Sequence, residues 1–63
     1  MSVNVGDRFI KANVPYIVWE VSRISHETNP IPHAILNQEG RYNRQITLSV
    51  PALGTSSMYT KLN

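Results

Sequence analysis

Hydrophobic residues along this chain fall in short runs, and within the clearest runs they recur at every second position. That period puts alternate side chains on opposite faces of an extended backbone, so each run predicts a strand with one face on a core. Over residues 16–25 the repeat runs through Ile17, Trp19 and Val21. Over residues 44–50 it runs through Ile46, Leu48 and Val50, with Gln45, Thr47 and Ser49 facing outward. Val21 and Ile24 are both apolar at an odd spacing, which a β-bulge or a strong bend reconciles. Shorter runs predict three more strands, over 5–11 with Phe9 inward, over 33–37 and over 58–62.

Turn residues separate the runs. Gly6-Asp7 enters the first strand, and Asp7 is read as a turn former whose carboxylate bonds nearby backbone. Pro15 closes residues 12–15 as a turn, because proline cannot donate to a ladder. Residues 26–32, with Pro30 and Pro32, must be a loop. Residues 38–43 are read as a hairpin connection with Gly40 at positive φ. Pro51-Ala52-Leu53-Gly54 fits one turn of 3₁₀ or α helix. The expected product is an all-β domain, closed or nearly closed. Its expected core is Phe9, Ile17, Trp19, Val21, Ile35, Ile46, Leu48, Leu53 and Leu62.

Five short strands, a helical turn before the last and a long loop after the second resemble an SH3-like barrel. The C-terminal third carries the likeness most clearly, in the strand 45–49, then Val50-Pro51-Ala52-Leu53, then Met58-Tyr59-Thr60-Lys61-Leu62. Val5-Gly6-Asp7-Arg8-Phe9 followed by Val18-Trp19-Glu20-Val21 is similar to the glycine-acid and tryptophan-strand layout of small SH3-like modules. The resemblance implies a five-stranded SH3-like barrel as the fold, spanning residues 1–63 as one domain. It implies no function. The aromatic-rich first loop, acidic specificity residues and paired tryptophan of proline-peptide binders are not recognisable here.

Sixty-three residues make a small core, and chains of this size often add a disulfide, a metal or a second subunit. Cysteine is absent, which excludes disulfides and thiolate metal sites and leaves a homodimer as the remaining support. No signal peptide is visible at the start, and no apolar run approaches the ~20 residues that cross a bilayer. The expectation is therefore a cytoplasmic protein with no membrane partner. A net charge of +2, from six basic against four acidic residues, tolerates anionic partners without declaring one.

Candidate chemistry is sparse. No nucleophile elbow surrounds Ser56 or Ser57, and the one aspartate is assigned to a turn. Glu20, Glu27 and Glu39 serve as acid and base only if the fold brings two of them together; Glu20 is placed on a solvent face and the others in separate loops. His26 and His33, with Glu27, match no zinc spacing. No enzyme activity and no cofactor are expected. Two binding classes remain. The first is contact with a protein partner, adaptor-like or inhibitor-like, through Arg41, Tyr42, Arg44, Tyr16, Met58 and Tyr59, with Ile31 beside Met58 and Tyr59 in one patch; interior packing of Met58 is the competing assignment. The alternative is nucleic acid, with Arg8, Arg41, Arg44 and Lys61 meeting phosphates and Tyr42 stacking on a base.

Overall fold

The computed structural model describes residues 3–26, 30–55 and 57–62, and it is all β apart from one short helix. The elements are β1 (Arg8–Lys11), β2 (Val14–Ser25), β3 (His33–Gln38), β4 (Arg41–Ser49), α1 (Val50–Thr55) and β5 (Tyr59–Lys61). They form one antiparallel sheet in the order β4-β3-β2-β1-β5. Five strands with a helical turn before the last agree with the pattern in the sequence. Full closure does not. Among the described residues no ladder joins β4 to β5, and the two remain as the edges of the sheet.

The turn before β1 is built as its residue types require. The Asp7 N–H donates to the Asn4 carbonyl at 3.0 Å, and Gly6 takes φ 94° between them. The Asp7 carboxylate accepts from the Asn4 N–H at 2.8 Å and meets Lys61 Nζ at 3.2 Å. In β2 the expected bulge lies between Val21 and Arg23. It sets Val21 opposite Leu36 and Ile24 opposite Ala34, so the two residues face the same side despite their odd spacing. Ser22 is the extra residue, and its hydroxyl donates to the Ile35 carbonyl at 3.0 Å.

A second slip was not legible in the sequence. Ile10 pairs with Val18 but Lys11 pairs with Val14, leaving Pro15, Tyr16 and Ile17 without one-to-one partners in β1. The β2 strand therefore starts two residues before the expected point, and Ile17 loses phase. It is half-buried and stands outside the core, contrary to expectation.

The core is a cluster of Val3, Phe9, Val21, Ala34, Leu36 and Leu53, with Trp19, Ile24, Ile46, Leu48, Val50 and Tyr59 packed against it. Phe9, Trp19, Val21, Ile46, Leu48 and Leu53 were expected there. Ile35 is buried, but its neighbours in the ladder are Arg23 and Thr47, which puts it on the other face; Ala34 and Leu36 supply the core from β3. Leu62 follows Lys61, the residue opposite Phe9, so it falls opposite Arg8 on the outer face and is 44% exposed.

Glu39 and Gly40 make the β3–β4 turn, with Gly40 at φ 83° as expected. The β4 strand begins at Arg41 rather than Arg44, because the register slips between Asn37 and Gln38 and passes over residues 42–44. At its far end Ser49 caps α1, its hydroxyl accepting from the Ala52 N–H at 3.2 Å, and Val50 opens the helix instead of ending the strand.

Candidate contact surface

Strand direction sorts the candidate residues. Because every pairing is antiparallel, the β1–β2 hairpin, the β3–β4 hairpin and the start of β5 lie at one end of the sheet. The β2–β3 loop and α1 lie at the other, joined by a bond from the Val50 N–H to the Pro32 carbonyl at 2.8 Å. Tyr16, Tyr59, Met58, Arg41 and Arg44 thus come from three separate stretches of sequence to one end, Arg41 and Arg44 at its β4 edge and Met58 and Tyr59 at its β5 edge. The Ala12 N–H donates to the Met58 carbonyl at 2.7 Å, which ties Met58 to the tip of the β1–β2 hairpin. Tyr42 belongs to β4 at this end, though its side chain lies outside what the structure describes.

Exposure separates these residues further. Tyr16 is 81% exposed and Met58 48%, so Met58 does not fill the interior. Tyr59 is half-buried and packs on the core, which makes it a support for the patch more than an anchor. Ile31 is also exposed, but it sits in the β2–β3 loop at the opposite end and leaves the patch in which the sequence placed it.

The four cations of the nucleic-acid set are not brought together. Arg8 grips Glu39 through two bonds, Nε to Oε2 at 2.9 Å and Nη2 to Oε1 at 3.0 Å. That grip holds the guanidinium pKa above its usual value, through the Glu39 hydrogen bond first and the Glu39 charge second. Lys61 is engaged by Asp7. Arg41 and Lys61 sit in one cross-strand row through Gln38, Trp19 and Phe9, but at opposite edges of the sheet.

The register also assembles a group that the sequence reading missed. Arg8, Glu20, Asn37 and Gln45 form a polar row across β1 to β4, closed at one end by a 2.9 Å bond from Gln45 Nε2 to Asn37 Oδ1. Glu20, Ser22, Asn37 and Glu39 line a cavity of about 180 Å³ on this face. Two carboxylates assigned to separate places thus share one cavity. The polar alternation of each strand carried the signal, and only the pairing register could join the strands. The Glu39 carboxylate also accepts both bonds from Arg8.

His33 Nδ1 donates to the Ile31 carbonyl at 2.9 Å, and His26 is exposed. Among the described residues no three His, Cys, Asp or Glu side chains converge as a metal site would require. Glu27 and Ser56 lie outside the described residues. Among the described residues, no helix is long and apolar enough to cross a membrane.

Fold and surface together define a small, mainly β protein built on one five-stranded open sheet. No family model, no curated protein and no solved structure matches the chain.

Proposed function

We propose that this protein is a non-catalytic binding module that acts by contact with a protein partner, through the end of the sheet that carries Tyr16, Met58, Arg41 and Arg44. We read the fold as SH3-like, a reading supported by the strand order β4-β3-β2-β1-β5 and the helical turn ahead of β5. One observation carries the functional reading: an 81% exposed tyrosine and a 48% exposed methionine on the β1–β2–β5 side stand at the same end as two exposed arginines on β4. Tyrosine and methionine give an interface large apolar area, and arginine gives it directional donors. The nucleic-acid alternative keeps Arg41 and Arg44 but has Arg8 and Lys61 already satisfied by carboxylates.

The test is affinity capture after cross-linking, with the native chain, a Tyr16→Ser/Met58→Ser variant and an Arg41→Ala/Arg44→Ala variant compared side by side. The reading expects one specific protein whose recovery falls at least about tenfold in the Tyr16/Met58 variant, since loss of interface anchors costs about 2 kcal/mol or more. Labelled oligonucleotides supply the counter-test. Binding that weakens steeply with salt and vanishes only in the arginine variant would replace this proposal with the nucleic-acid reading.

A further inference from the structure

We infer that the free edge of β4 pairs with the β4 edge of a second copy, joining two sheets across a two-fold axis at Thr47. The starting observation is that the two sheet edges are unequal. The β5 edge is three residues long and carries Lys61, a short charged edge of the kind that resists pairing with strangers. The β4 edge runs for nine residues, and between Gln45 and Ser49 it holds no proline and no charge. Over that same stretch its pairing to β3 is regular, residue for residue, so the strand is presented without a bulge. Among the described residues nothing pairs with its other side.

Side-chain parity then selects the register. Ile46 and Leu48 face the core side, opposite Leu36 and Ala34, while Gln45 and Thr47 face outward beside Asn37 and Ile35. Antiparallel self-pairing must keep like faces together, which excludes any register that sets Ile46 against Thr47. With Ile46 opposite Ile46, Arg44 would stand against the apolar Leu48. Centring on Thr47 keeps like faces together and sets Arg44 opposite Val50, which has already left the strand for α1. Ile46 of each copy meets Leu48 of the other, Gln45 meets Ser49, and Thr47 meets Thr47, all favourable cross-strand pairs. The two Arg44 residues are then six positions apart, roughly 20 Å at the strand rise of about 3.3 Å per residue, beyond the reach of unscreened repulsion. Ile46 and Leu48 are only half-buried in one copy, and the second copy covers their remaining surface. A cysteine-free chain of 63 residues gains from a partner the support that a disulfide gives others of its size.

Absence of cysteine makes the test sharp, because any disulfide introduced by one substitution must be intermolecular. In the native chain, sedimentation equilibrium at about 100 µM should give twice the chain mass of 7.1 kDa. Thr47→Cys should convert to a covalent dimer under mild oxidation, since directly opposed Cβ atoms lie about 4.5–5.5 Å apart. Gln45→Cys should stay monomeric on a non-reducing gel, its two copies being about 13 Å apart at the strand rise. Thr47→Asp, which sets two carboxylates face to face at an exposed position, should weaken dimerisation at least about tenfold and leave the dichroism spectrum unchanged. A native chain that stays monomeric overturns the inference, as does a dimer in which Gln45→Cys cross-links as fast as Thr47→Cys. Tyr16 and Met58 lie off β4, and Arg41 and Arg44 lie on it outside the paired stretch 45–49, so either proposal can fail alone.

Discussion

At the scale of single residues, the strongest determinants of this fold are the side chains with no solvent contact. Leu36 is fully buried against Phe9, Val21 and Leu53, so Leu36→Ala is expected to cost about 2–5 kcal/mol through lost burial and the cavity left behind. Ile17→Ala, at a half-buried position outside that cluster, should cost distinctly less; urea unfolding of the two variants checks the ranking. Asp7 offers a finer comparison. Its carboxylate holds both the Asn4 N–H and Lys61, and it is only 13% exposed at the side chain. Asp7→Ala is expected to lose about 1.5–3 kcal/mol, whereas Asp7→Asn keeps an acceptor for Asn4 and should lose less. Equal midpoints for the two variants would show that the hydrogen bond contributes nothing. At this scale the sequence was readable, because a turn residue such as Asp7 acts on backbone three positions away.

At the scale of elements, what matters is how the turns set register. Gly6 and Gly40 both sit at positive φ with open space where a Cβ would stand, so substitution meets backbone strain alone. Gly40→Ala should cost about 1–2 kcal/mol, and Gly40→Asn less, as read from thermal midpoints. Ser49→Ala removes the cap of α1 and should cost about 0.5–2 kcal/mol, shifting Leu53 where the helix seats it in the core. The bulge at Ser22 was anticipated from the spacing of Val21 and Ile24, since both had to face one side. The slips beside Lys11 and Gln38 left no such trace. Their neighbours, Tyr16 and Ile17 in one case and residues 42–44 in the other, do not need to face inward, so alternation imposes nothing on them.

For the whole molecule, one cluster is fed by β1, β2, β3 and α1, and β4 and β5 pack against it through Ile46, Leu48 and Tyr59. A single cooperative unfolding transition is therefore expected, with dichroism and tryptophan fluorescence coinciding, since Trp19 packs on that same cluster. Self-association through β4 would make the midpoint rise with protein concentration; a midpoint constant over a hundredfold range of concentration contradicts it. Two halves of the candidate surface belong to this scale as well. Only the common direction of two hairpins and β5 gathers Tyr16, Met58 and Arg41, and only the open edge of the sheet leaves β4 without a second neighbour.

By itself the sequence determined that this chain is β, how many strands it has, and that Phe9, Trp19, Val21, Ile46 and Leu48 carry the apolar face of β1, β2 and β4. Those properties follow from contacts within a few residues, through the two-residue period, proline's missing donor and glycine's freedom at positive φ. The tertiary structure decided the rest: that the sheet stays open, that Leu62 is exposed and Ile35 is buried on the face away from the main cluster, that Arg8 clasps Glu39 across β2, and which exposed side chains share an end. Each of these depends on pairing between strands distant in sequence, and a slip of one residue in that pairing turns a side chain from one face to the other.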